Sequence, residues 1–334
     1  MNLIKKKKFY LIAEIGNNHE GSIENAIKLV KAAKKSGADA VKFQTFIADD
    51  YIHNKQIERY KRLKKFQLKF SEFLFLKKLT HKLKLNFIST PLDKKSAKFI
   101  STISDAVKIA SGDNDNIQLI NECLKNCKSM ILSTGFANID QINKVYKNIK
   151  FLKGNSFIKN KFSLLHCTSS YPTKIIDTNL KAINTMQKNF DCEIGLSDHT
   201  IDYQSCIYAA FMGVKIFEKH FTLDNNFSNF IDHKVSLNPE NFYLLYKKML
   251  ETQKILGTGI KKCHKSEENF LKNSKRSLIA KINLKKGQIL KDEYFKVLRP
   301  MYSNSADINI NIKNKRILKD LKKDFHLSKN HIKI

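Results

Sequence analysis

Eight short apolar runs, separated by stretches with helical spacing, constrain this 334-residue chain more than any other feature of its sequence. They fall at about 9–15 (FYLIAEI), 39–44 (DAVKFQ), 85–90 (LNFIST), 105–110 (DAVKIA), 129–134 (SMILST), 161–167 (KFSLLHC), 192–197 (CEIGLS) and 214–219 (VKIFEK). Runs of this length in this alternation read as buried parallel strands, each returned to the sheet by a helix. Segment 22–36 is typical: Ser22 and Asn25 suit a helix start and Gly37 its end. Eight such units in order predict an α/β fold, a (β/α)8 TIM barrel, which takes roughly 250 residues. The longest connection, 47–70, is expected to cover the mouth of the barrel.

After a predicted helix at 239–256 the texture changes. GTGIKKCHKSEENFLKNS (257–274) is polar and carries two glycines, the mark of a linker. The following RSLIAKINLKKGQILKDEYFKVLRP (276–300) reads as short strands with a Lys-Gly turn at 286–287. The division predicted is a barrel over 1–256, a linker over 257–274 and a small β-rich domain over 275–334. A domain of about 60 residues is marginal alone, so it is expected to dock on a barrel, its own or a partner's.

Composition excludes several classes. No stretch approaches the ~18 uncharged apolar residues of a membrane span. The basic KKKK (5–8) before FYLIAEIG imitates a secretory leader, but Glu14 interrupts the apolar stretch and no small-residue cleavage site follows. Six cysteines (123, 127, 167, 192, 206 and 263) form no CxxC and no regular framework, so inert thiols in a reduced, cytoplasmic compartment are expected. A net charge of +30 suggests nucleic acid. Yet only five of the 61 basic residues are arginine, and the lysines spread over nearly every predicted helix with no base-reading module among them. Solvated lysine faces explain that pattern, and such a field still concentrates a small anionic substrate.

The chemistry is expected at the carboxyl ends of the predicted strands, where barrel enzymes keep it. Two histidines, His199 in GLSDHT (195–200) and His220 in FEKHFTLD (217–224), end adjacent runs. Two neutral imidazoles can hold one divalent metal while leaving positions open for water and substrate. Taken alone, the pair is also what two hydrogen-bonded surface histidines would give. The other strand ends carry Glu14, Asn18, His19, Lys42, Gln44, Ser89, Thr90, Lys108, Ser111, Ser133, Thr134, His166, Ser169, Tyr171, Ser197, Asp198 and Glu218. Serine or threonine there often caps the next helix. Lys42 and Lys108 inside apolar strands are harder to dismiss, because a buried ammonium costs several kcal/mol unless an anion meets it. Either a core carboxylate meets each, or two lysines and several hydroxyls make a phosphate and carboxylate pocket.

In order and spacing, AEIGNNHEG (13–21), KFQTF (42–46), FISTP (87–91), KIASGD (108–113), LSTG (132–135), LLHCTSSYP (164–172), GLSDHT (195–200) and EKHFTLD (218–224) resemble the sialic acid synthase family. RSLIAKINLKKGQILKDE (276–293) resembles that family's C-terminal antifreeze-like SAF domain, a β-clip. The resemblance implies a barrel plus a small domain swapped across a homodimer. It also implies condensation of phosphoenolpyruvate with an N-acetylhexosamine to a nine-carbon 2-keto acid. By the same resemblance, Lys42, Thr90, Lys108, Ser111, Ser133, Ser169 and Ser197 line the phosphoenolpyruvate site, and His199 and His220 hold the metal. Glu14, Gln44, Tyr171 and Asp232 meet the sugar, and Arg299 of the partner's small domain reaches its acyl group. Three positions depart from the usual pattern: Asp113 replaces the glutamate of neuraminate synthases, Ser169 stands where some carry Asn, and MYSNSADINI (301–310) lacks the usual glycines.

The expected chemistry needs a metal, Mn²⁺ or Mg²⁺ given so few protein ligands, to polarise the sugar aldehyde. A carboxylate must move protons; Asp113 and Glu14 are the candidates, with Glu218 a supporting group beside the metal ligands and the lysines holding charge and orientation. The acceptor expected is N-acetylmannosamine; a 2,4-diacetamido-trideoxyhexose, leading to legionaminic or pseudaminic acid, is the alternative. An inactive basic binding barrel would be expected to lose the lysines or the histidines, and this chain keeps them.

Overall fold

A computed structural model of the chain describes residues 8–333; Lys5–Lys7 of the basic run lie outside the described residues. The chain divides into two units, one ending at Gly257 and the other beginning at Thr258.

In the first unit eight parallel strands close into a barrel, with β8 pairing back onto β1. The strands are β1 (Tyr10–Gly16), β2 (Ala40–Thr45), β3 (Asn86–Pro91), β4 (Ala106–Ile109), β5 (Met130–Ser133), β6 (Phe162–Cys167), β7 (Glu193–Asp198) and β8 (Ile216–His220). Each lies within a few residues of its apolar run. The helices are α1 (Ile23–Lys35), α2 (Ala48–Tyr51), α3 (Ile57–Phe66), α4 (Phe70–Lys82), α5 (Lys94–Ile103), α6 (Ile117–Asn126), α7 (Ile139–Lys161, broken at Gly154), α8 (Lys181–Asn189), α9 (Gln204–Phe211), α10 (Ile231–Val235) and α11 (Pro239–Leu256). In α1 the Ser22 hydroxyl accepts from the Asn25 amide at 3.1 Å, which satisfies an amide the helix cannot bond itself. Its buried stripe, Ala26, Leu29, Val30 and Ala33, follows the helical period.

Strand alternation sorts the barrel into layers. Tyr10, Ile12, Ala40, Ile88, Ala106, Ile131, Leu165 and Ile216 point inward and form an apolar floor. The intervening positions, among them Leu11, Ala13, Val41, Phe43, Phe87 and Val107, point outward and pack against the helices. Phe43 lies 5.9 Å from Phe87 and 6.3 Å from Phe73, ring centre to ring centre. Burying each such ring is worth about 1.5–3 kcal/mol. Two residues above the floor the inward positions become Glu14, Lys42, Thr90, Lys108, Ser133, Ser197 and Glu218. The site follows from that switch of polarity.

The second unit begins in the stretch read as a linker, but Glu268–Ser274 within it forms helix α12. The correction has a local cause: the His264 amide donates to Glu267 at 2.7 Å, so a capping pair starts a turn that glycine-based reading passes over. β9 (Ser277–Ala280) and β10 (Phe295–Leu298) pair antiparallel, Ala280 opposite Phe295. Single bridges join Leu284 to Leu321 and Ile289 to Arg316. Leu278, Leu284, Leu290, Phe295, Ile312, Ile317, Leu321 and Leu327 make its own small core. Gly287 has φ +83° in the Lys-Gly turn, a conformation that a Cβ would strain.

Candidate active site

A cavity of about 300 Å³ opens above the barrel floor, and its lining comes from the first unit. Glu14, Lys42, Gln44, Thr90, Lys108, Ser111, Asp113, Ser133, Ser169, Tyr171, Ser197, His199, Glu218 and His220 all reach it. Of the residues expected at the site, the lining leaves out Asp232 and Arg299. Asp232 lies on α10 with its carboxylate 3.9 Å from His220 Nδ1. Arg299 belongs to the second unit, where its Nε donates to the Ser274 carbonyl at 2.9 Å.

The buried lysines are met by core carboxylates and face the cavity as well. Lys42 Nζ lies 2.9 Å from Glu14 and 3.5 Å from Glu218, and Lys108 Nζ lies 3.5 Å from Glu218. Lys42 also donates to Thr90 Oγ1 at 3.3 Å, and Ser197 donates to Glu218 at 3.1 Å. Burial works against the Glu218 charge, but Lys108 and Lys42 outweigh it and hold that carboxyl below its ordinary value. Burial raises Glu14, with Glu218 alongside, so Glu14 holds a proton more readily than its neighbour. For Lys42 the carboxylates outweigh burial and keep the ammonium charged; Lys108 is lowered by burial. Asp113, in the turn after β4, is raised by burial.

Burial pushes Asp232 up to about 7, with the Glu14 charge adding to it.

The two imidazoles stand 5.3 Å apart, ring centre to ring centre, with the Tyr171 ring 4.2 Å from that of His199. His199 Nδ1 bonds the Thr168 carbonyl at 3.0 Å, which leaves Nε2 to carry the lone pair. His220 is driven well below its ordinary value, first by burial and then by His199, and stays neutral. The buried polar atoms that find no hydrogen-bond partner in the protein include Glu14 Oε2, Ser133 Oγ, Glu218 Oε2 and His220 Nδ1, all on this cavity. Native cores seldom leave such atoms unpaired, and their grouping marks a place for a polar ligand. Two converging imidazoles, of which His220 is neutral, and an orphaned ring nitrogen fit a divalent cation that takes most of its shell from water and substrate; among the described residues no three His, Cys, Asp or Glu side chains form a closed cage.

Some strand-end residues turn away from the cavity. His166 bonds the Thr178 carbonyl at 2.8 Å, Thr134 the Leu165 carbonyl at 3.0 Å, and Ser89 pairs with Thr45 at 2.7 Å. Asn18 bonds the Phe221 carbonyl and Ser236, both at 2.9 Å, and His19 Nδ1 accepts from the Gly21 amide. Asp198 faces outward. Sequence reasoning missed Tyr51, Arg59, Phe136 and Cys167, which line the cavity. Tyr51 and Arg59 arrive from the 47–70 connection, Arg59 donating to the Tyr51 hydroxyl at 3.4 Å. Gly135 sits at a close approach: a Cβ there would stand 2.1 Å from Ser169 Oγ and 2.7 Å from Ser111 Oγ, so both hydroxyls would have to move.

Comparison with known proteins agrees with this geometry. The sequence profile of the NeuB family matches residues 29–261. The chain is 38% identical to an uncharacterized protein of Methanocaldococcus jannaschii, over 96% of this chain and 93% of the other. It is 36% identical to the N,N'-diacetyllegionaminic acid synthase of Campylobacter jejuni, over 90% of this chain and 93% of that enzyme. The crystal structure of N-acetylneuraminic acid (sialic acid) synthetase from Leptospira borgpetersenii is similar with a TM-score of 0.70 and 31% identity, covering 78% of this chain and 90% of that one.

Proposed function

The chain belongs to the NeuB family, that of the sialic acid synthases, and from that premise we propose that it condenses phosphoenolpyruvate with an N-acetylated hexosamine and water, releasing phosphate and a nine-carbon 2-keto sugar acid. It is a phosphoenolpyruvate-dependent transferase. The observation that carries the reading is the inward layer of Lys42, Lys108, Thr90, Ser133 and Ser197 over an apolar floor. Two ammonium groups and a ring of hydroxyls suit a ligand that is phosphate at one end and carboxylate at the other.

In the reaction, C3 of phosphoenolpyruvate bonds to the sugar's aldehyde carbon, water adds to the oxocarbenium-like C2, and the tetrahedral intermediate expels phosphate. One proton must reach the aldehyde oxygen and one must leave the attacking water. Glu14 and Asp113, both raised by burial and both lining the cavity, are the groups proposed to exchange them. Lys42 and Lys108 orient the phosphate and carboxylate, while Gln44, Tyr171 and Asp232 meet the sugar. His199 and His220 would hold Mn²⁺ or Mg²⁺, which supplies Lewis-acid polarisation of the aldehyde oxygen.

The second unit is read as an antifreeze-like SAF domain, swapped in a homodimer so that Arg299 reaches the acyl group in its partner's barrel. A cytoplasmic setting suits six free cysteines. Among the described residues no helix is long and apolar enough to cross a membrane.

N-acetylmannosamine is the first acceptor to test. A 2,4-diacetamido-trideoxyhexose is favoured by the 36% identity to a diacetyllegionaminic acid synthase, against 31% to a sialic acid synthetase. Purified protein incubated with phosphoenolpyruvate, Mn²⁺ and a panel of amino sugars tests both. Phosphate release with either acceptor supports the reading, and release with neither contradicts it.

A further inference from the structure

A second cross-strand pairing on β7 and β8 faces away from the cavity. The register sets Ser197 opposite Glu218 and Asp198 opposite Lys219. Because side chains alternate between faces, Ser197 and Glu218 meet inside the barrel at 3.1 Å, Asp198 and Lys219 point outward, and His199 and His220 point inward again. Lys219 Nζ lies 2.8 Å from Asp198 Oδ2, with the two side chains 1% and 3% exposed. The same ammonium donates to the Thr200 carbonyl. Asp198 in turn accepts from the Thr200 amide and the Thr200 hydroxyl, each at 3.0 Å. Both residues that flank His199 are therefore tied to Lys219, the residue that immediately precedes His220.

A buried ion pair is a poor stability device. Desolvating two charges consumes most of what their attraction returns, and an apolar or neutral pair of similar volume often leaves a protein as stable or more so. A fixed mutual register and orientation is what the pair supplies and a greasy contact does not. Groups that hydrogen-bond a metal ligand and fix its orientation typically cost ten- to a hundredfold in metal affinity when lost; Asp198 and Lys219 touch neither imidazole and would act on the same orientation one step further back, through the backbone at Thr200.

We propose that Asp198 and Lys219 are positioning residues, whose ion pair behind the barrel wall fixes the ends of β7 and β8 so that the imidazoles of His199 and His220 converge on one point of the cavity. The proposal rests on the reading of those two histidines as metal ligands and adds the device that aims them.

The test is the double variant Asp198→Asn/Lys219→Met in the full chain, which removes both charges and keeps their shape and the acceptor for the Thr200 amide. Three quantities are read: Tm, Mn²⁺ affinity by electron paramagnetic resonance, and the ring-current shifts of the His199 and His220 ring protons in metal-free protein. The expected result is a Tm near that of the unaltered chain, Mn²⁺ affinity lower by about ten- to a hundredfold, and loss of the upfield shift that the Tyr171 ring, 4.2 Å away, imposes on His199. A folded double variant with unchanged shifts and affinity overturns the proposal. So does a double variant that fails to fold, since the pair would then be a stability device. If the unaltered chain binds no Mn²⁺, the metal reading fails by itself and the metal-free shifts still decide the positioning role.

Discussion

Glu14 and Lys42 are register partners on neighbouring strands, and their charged atoms lie 2.9 Å apart with both side chains buried. Glu218 reaches the same ammonium from the other side of β1 at 3.5 Å. With Lys108 3.5 Å from Glu218, the layer above the apolar floor is thus a cluster of two carboxylates and two ammonium groups whose members depend on one another.

Removing one member of such a cluster strands the others. Lys42→Met should lower the free energy of unfolding by about 3–5 kcal/mol, because it leaves the buried Glu14 carboxylate without its paired cation and Glu218 with Lys108 alone. Glu14→Gln/Lys42→Met should recover part of that loss. Urea unfolding of both singles and the double checks this; strictly additive losses would contradict the coupling.

The parts of this site that were legible in sequence are those where polarity breaks a rule. Lys42 and Lys108 sit in strands otherwise fit for burial on both faces, and the structure puts both on the cavity. The barrel was legible for the same reason, since strands buried on both faces read as apolar runs. Side-chain direction was not legible from a strand end alone: His166 and Ser197 lie in similar runs, yet one bonds a loop carbonyl and the other faces Glu218. The period of two could have found Lys219, which is flanked by Glu218 and His220 and so must face the opposite way. Tyr51 and Arg59 gave no signal, because on short amphipathic helices they look like any solvated surface.

Lys108→Ala should weaken phosphoenolpyruvate far more than the sugar, since Lys108 Nζ faces the cavity beside Glu218, Lys42 and the ring of hydroxyls. Steady-state kinetics with each substrate varied in turn checks this. An unchanged KM and kcat for phosphoenolpyruvate would remove Lys108 from the site.

Arg299→Ala should lose sugar-dependent rate by about 1.5–3 kcal/mol, the worth of a hydrogen bond from a charged group, with phosphoenolpyruvate binding nearly intact. Mixing these subunits with inactive Lys42→Ala subunits should regenerate one working site per heterodimer if the small domain closes the partner's barrel. Confirmed subunit exchange without complementation would reject the swapped arrangement.

Chelation should abolish turnover and Mn²⁺ should restore it, because the His199 and His220 imidazoles face one cavity and the latter stays neutral. Full activity in a strong chelator would sink the assignment of both histidines.

The most direct measurement is the stoichiometry of a single incubation with phosphoenolpyruvate, divalent metal and the preferred amino sugar, read by mass spectrometry and phosphate assay. The proposed reaction gives one phosphate per sugar consumed, and a product whose mass is that of sugar, phosphoenolpyruvate and water together less phosphoric acid. Phosphate released without sugar consumption, or a product that retains the phosphoryl group of phosphoenolpyruvate, would contradict it.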